Sequence, residues 1–103
     1  MKAQIWNYNN WITETDPAKL TDRYGAMLRG AGFNVIKTVE HHFTPQGFTA
    51  LYLLGESHFA VHTFPEEGKT YIELSSCNKV YFDRFLRDEE SNGWGWYPLT
   101  ATT

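Results

Sequence analysis

Between residues 33 and 77 the chain falls into strand-length segments joined by turns of a few residues. Turns that short cannot carry a parallel crossover, which needs a dozen residues or more, so neighbouring segments must pair antiparallel. Segment 33–43 is β-branched and alternates, with Val35, Lys37 and Val39 set against Ile36 and Thr38. Thr44-Pro45-Gln46-Gly47 reads as a tight turn. Segment 48–54 is apolar throughout, the pattern of a central strand buried on both faces. Gly55-Glu56-Ser57 interrupts it. Segment 58–64 alternates again, Phe59 and Val61 on one side, His58, Ala60 and His62 on the other. Pro65 ends it and Glu66-Glu67-Gly68-Lys69 turns the chain. In segment 70–77, Tyr71, Glu73, Ser75 and Cys77 share one face, Ile72, Leu74 and Ser76 the other.

Helices flank this meander. Thr15-Asp16-Pro17 is a helix start: a capping side chain, then proline where a missing N–H does no harm. Leu20, Tyr24, Met27, Leu28 and Ala31 recur along one helical face, and Gly30 and Gly32 stop the run. A second, shorter helix is predicted over 80–87, with Phe82, Phe85 and Leu86 as its stripe. Residues 3–8 read as a first strand. The aromatic tail 91–98, with Trp94 and Trp96, reads as a loop that adds an edge strand or docks on a partner. The expectation is one domain, 1–103, of α+β class: a two-layer sandwich of a mainly antiparallel sheet with two helices on one face.

A net charge of −3, with acids and bases interspersed, provides no clustered basic face for nucleic acid. No run approaches the length of a membrane span, and the N-terminus lacks the apolar core of a signal peptide. A cytoplasmic location is expected, where the single cysteine, Cys77, stays a free thiol.

Glu56–Ser57 is the bond with chemical potential. A serine hydroxyl can attack the carbonyl before it and move the acyl group from nitrogen to oxygen. The ester is less stable than the amide, so the site must be strained or its oxyanion stabilised. A base must then remove the serine α-proton so that the ester departs. His62, five residues on and behind a bend, is the candidate. From the spacing alone, ordinary polar roles on strand edges for Ser57 and His62 are the favoured account. His41, His42, His58, His62 and Glu66 also raise the question of a metal cluster.

Taken together, Glu40-His41-His42-Phe43-Thr44-Pro45-Gln46-Gly47, Gly55-Glu56-Ser57-His58, His62-Thr63-Phe64-Pro65-Glu66 and the later Cys77 resemble the pyruvoyl-dependent S-adenosylmethionine decarboxylase proenzymes of bacteria and archaea. The resemblance implies a lyase of polyamine (spermidine) biosynthesis, made as a zymogen and matured by autocatalytic cleavage between 56 and 57. Ser57 would become the pyruvoyl cofactor and Glu56 a new C-terminus. His62 would take the α-proton, and the hydroxyl at Thr49 would help processing. The substrate amine would condense with the ketone as a Schiff base, and Cys77 would return a proton to the substrate carbon. Phe43 would stack on adenine and Glu66 would bind the ribose. Phe43 and Trp6 are candidate faces for the sulfonium cation. The resemblance assigns neither a metal nor pyridoxal phosphate, and it implies a homodimer acting on a small molecule.

The chain departs from the family pattern in places. Thr49 stands where relatives usually carry serine; its methyl restricts χ1 and implies processing that is slowed or stalled. Trp6, Asn7 and Tyr8 stand where the first strand usually ends in an acid. Some relatives decarboxylate arginine or ornithine; such a substrate would need Glu66, Glu67, Glu73 or Asp83 for its distal cation. An uncleaved, non-catalytic regulatory homologue is the further alternative.

Overall fold

The computed structural model describes residues 3–91. Strands β1 (Trp6–Ile12), β2 (Val35–His42), β3 (Phe48–Leu54), β4 (Ser57–Phe64) and β5 (Lys69–Ser76) form one sheet in the order β1-β5-β4-β3-β2. Every neighbouring pair is antiparallel. Helices α1 (Pro17–Ala31) and α2 (Lys79–Glu90) cover one face. Tyr24 of α1 and Phe85 of α2 both meet Phe59 of β4, at ring separations of 5.0 and 5.4 Å. The architecture is the expected α+β sandwich, and its other sheet face is uncovered by either helix.

Local chemistry sets the helix ends. Asp16 caps α1 by accepting from Lys19 N, and Pro17 takes the first turn. Gly32 ends α1 at φ 112, and a Cβ there would lie 2.6 Å from the Tyr81 ring. Gly32→Ala should therefore cost about 1–3 kcal/mol, read as a lower urea midpoint. Asn78 caps α2 through Tyr81 N.

Several boundaries differ from expectation. β1 starts at Trp6 and runs to Ile12, beyond residues 3–8, because pairing with β5 along its whole length overrides the poor strand propensity of Asn7, Asn9 and Asn10. β3 is buried on one face only; Leu51 and Leu53 are 45% and 52% exposed. A register shift between Val35 and Lys37 breaks the simple alternation of β2. β4 already begins at Ser57, which pairs with Leu54 and Ser76. Of the predicted aromatic tail, residues 92–98, with Trp94 and Trp96, lie outside the described residues.

α2 extends past Arg87 because Glu89, 2% exposed, turns inward. Tyr24 donates to its carboxylate at 3.0 and 3.1 Å and Tyr8 at 3.2 Å. Burial, followed by the carboxylate charge, holds the Tyr24 hydroxyl far above the ordinary tyrosine range. Burial does the same for Tyr8. A raised folded value means the folded chain keeps these protons after the unfolded chain has lost them. The stabilisation is complete below about pH 10 and is lost as pH rises toward the raised values. Urea midpoints from about pH 8 to about pH 11 should fall more steeply for the wild type than for Tyr24→Phe.

Candidate active site

The chemistry-bearing residues collect at two ends of the sheet. The first end is the β3–β4 hairpin. Leu54 pairs with Ser57, leaving Gly55 and Glu56 as the loop. Glu56 has φ 63, the left-handed region that a side chain occupies only at a cost. That cost is about 1–2 kcal/mol. Glu56 carries the carbonyl of the Glu56–Ser57 bond. Cys77, just past β5, continues the face of Tyr71, Glu73 and Ser75. Its Sγ donates to Glu56 O at 3.2 Å and lies 3.7 Å from Glu56 Oε2. The Ser57 side chain turns to the helix-covered face and is 7% exposed. Its hydroxyl donates to Ser76 Oγ at 2.7 Å.

The second end holds the other predicted residues. Thr49 and His62 are cross-strand partners, with Thr49 Oγ1 2.9 Å from His62 Nδ1. Phe43, Gln46, Gly47, Thr49, His62, Thr63, Phe64 and Glu66 line a cavity of about 340 Å³. Phe43 is 51% exposed, with His41 edge-on to its ring at 4.5 Å. The β2–β3 turn supports Phe43 through a bond from its own N–H to Gly47 O at 2.8 Å. Tyr71 stacks beside His62, and Trp11 joins Tyr71 to Phe64.

Sequence reasoning had brought His62 to Ser57 behind a bend. β4 runs unbroken through both residues. Five residues at about 3.3 Å each separate them by ~17 Å, and their side chains leave opposite faces. One chain therefore does not join them. Trp6 does not accompany Phe43 either; it pairs opposite Ser76 and packs against the core. Of the four carboxylates considered for a distal cation, only Glu66 lines the cavity. Glu67 pairs with Lys69, Asp83 pairs with Lys79, and Glu73 accepts from Tyr71. His58 and His62 share a face as read. Among the described residues no three His, Cys, Asp or Glu side chains group as a metal site would require. Ser76 was overlooked; only its register opposite Ser57 marks it, and register is not written in spacing.

None of the described helices is long and apolar enough to cross a membrane. The family model described as S-adenosylmethionine decarboxylase matches residues 6–88. The chain is similar to the S-adenosylmethionine decarboxylase proenzyme of Parasynechococcus marenigrum, 39% identical over 74 residues, covering 64% of this chain and 56% of that protein. The proenzyme of Prochlorococcus marinus (strain MIT 9211) is 43% identical over 68 residues, covering 66% and 56%. The chain thus spans about half the length of the curated relatives it matches. Among solved structures, the adenosylmethionine decarboxylase from Aquifex aeolicus superposes with a TM-score of 0.64 at 19% identity, covering 84% of this chain and 81% of that one, which is a likeness of fold. With the family match running from the start of β1 almost to the end of α2, the chain belongs to the S-adenosylmethionine decarboxylase family.

Proposed function

We propose that this chain is a proenzyme that severs its own Glu56–Ser57 bond and then decarboxylates S-adenosylmethionine for spermidine synthesis. The observation that carries the reading is the Cys77 thiol at 3.2 Å from the carbonyl oxygen of a left-handed Glu56. Strain raises the ground state of the bond, and the thiol stabilises the oxyanion formed on attack. In that step the Ser57 Oγ–C bond forms, the C–N bond breaks, and the hydroxyl proton passes to the freed amine. A base then removes the Ser57 α-proton, the Cβ–Oγ bond of Ser57 breaks, and Glu56 leaves as a carboxylate that keeps that oxygen. Water finally replaces the nitrogen as ammonia, leaving a ketone.

The residues present fit a pyruvoyl group at position 57, since the strained carbonyl and its donor lie on the bond that must break. That group would supply the electron sink that decarboxylation needs. Around it, Cys77 is the proton donor toward the substrate carbon, a role a thiol fills near neutral pH. Phe43 offers a flat face to an adenine ring and Glu66 a carboxylate to ribose hydroxyls. This lining suits a nucleoside better than a guanidinium or ammonium, which would call for paired acids. The Thr49 hydroxyl reaches His62 despite its added methyl, which favours a processing-competent chain over a silent homologue.

The base must come from a second copy. The Cys77 thiol beside the Glu56 carbonyl at one end of the uncovered face and the Thr49–His62 pair at the other become adjacent when two such faces meet about a two-fold axis. Val39, Leu51 and Leu53 leave apolar surface on that face for a partner to cover. Each site of the homodimer would then combine Ser57 and Cys77 of one chain with Thr49, His62, Phe43 and Glu66 of the other.

Denaturing mass spectrometry of purified protein tests the cleavage. Two fragments are expected, the second carrying a carbonyl that reacts with phenylhydrazine. Fully active material that is one intact chain would refute the reading. Release of labelled carbon dioxide should be fastest from S-adenosylmethionine; faster release from arginine or ornithine would transfer the activity to a basic amino acid.

A further inference from the structure

The buried side of the Glu56–Ser57 bond has its own machinery. Ser76, 1% exposed, accepts from the Ser57 hydroxyl at 2.7 Å and from Asn78 N–H at 2.9 Å. Its own proton turns to Asn78 O at 3.4 Å. In this arrangement Ser57 is the donor between the two hydroxyls. A serine side chain has three staggered positions. This bond selects one and holds the Ser57 proton on Ser76, which leaves the lone pairs of Ser57 Oγ clear of it. Asn78 is anchored in turn, since its side chain caps α2 through Tyr81 N at 3.1 Å. The clamp is therefore fixed to a helix end, away from the hairpin that is cut.

We infer that Ser76 is the positioning residue for the nucleophile of self-cleavage, acting on the first step, the passage from amide to ester. The inference rests on the proposed self-processing. It assigns Ser76 no part in removal of the α-proton, which is the task of His62.

The two steps can be separated with hydroxylamine, which cleaves an ester at Glu56 and leaves the amide untouched. Chains made by cell-free translation and then chased would be followed by denaturing mass spectrometry, with and without hydroxylamine. Ser76→Ala should keep the intact chain about tenfold longer than wild type, the worth of one hydrogen bond, and hydroxylamine should not hasten its loss. Ser76→Cys fills the same space with a poor acceptor. It should show wild-type far-UV circular dichroism and still process slowly, whereas a purely packing role would leave its rate near wild type. Wild-type rates in Ser76→Cys would overturn the inference. So would a Ser76→Ala chain that hydroxylamine splits rapidly, because the ester would then form without the clamp. A wild-type chain that never splits would instead overturn self-processing itself, and this inference with it.

Discussion

Mixed with Ser57→Ala chains, His62→Ala chains should mature; kept apart, neither should. A His62→Ala chain retains the nucleophile and the Cys77 donor, so it forms the ester but has no base to complete elimination. Loss of a positioned base slows a proton transfer by roughly 10²–10⁴-fold. A Ser57→Ala partner cannot cleave itself, yet it carries an intact His62 beside Thr49. If the site is shared across a two-fold axis, that histidine faces the stalled ester. Random pairing of equal amounts places about half of the chains in mixed dimers, so about half of the His62→Ala chains should split and gain a phenylhydrazine-reactive end. Absence of rescue would mean that His62 acts within its own chain, against the ~17 Å set by strand rise. Dilution supplies a second check, because the processing rate of newly made wild-type chains should fall with concentration.

Replacing Cys77 should separate the two duties proposed for its sulfur atom. In Cys77→Ala the Glu56 carbonyl loses its donor, and self-cleavage should slow by about 10²–10³-fold, the usual cost of one oxyanion donor. In Cys77→Ser a hydroxyl replaces the thiol and can still donate, so fragments should form far faster than in the alanine variant. Decarboxylation should nonetheless remain low, because an alcohol is a much weaker acid than a thiol. The measurement is fragment formation over time, alongside carbon dioxide release divided by the carbonyl content of each preparation. A Cys77→Ala chain that matures at the wild-type rate would remove Cys77 from processing, whatever its distance from Glu56.

The sheet was legible because its signals are local. Turn residues at 44–47 and 55–57, and alternation along 58–64, require nothing beyond near neighbours. Asp16-Pro17 and Gly32 mark α1 for the same reason. β1 was misplaced because its asparagines join the sheet only through a partner distant in sequence. The candidate site residues were legible as types in a pattern, while their division between two ends was not. That division depends on β4 passing straight through Ser57 and His62, and spacing alone leaves a bend open. Ser76 escaped notice because a serine in a strand carries no signal until its opposite number is known.

The strand order has a consequence for the matured protein. A cut after Glu56 would leave β1, β2 and β3 on one piece and β4 and β5 on the other. The β4–β5 hairpin lies between β3 and β1, gripped along both edges by the piece from which it has been severed. Prising the halves apart would tear two ladders at once, so they should stay locked without a covalent link. Once melted, however, they would have to find each other again in solution, and recovery of the cleaved enzyme should depend on dilution in a way that refolding of the uncut chain into its own sheet does not.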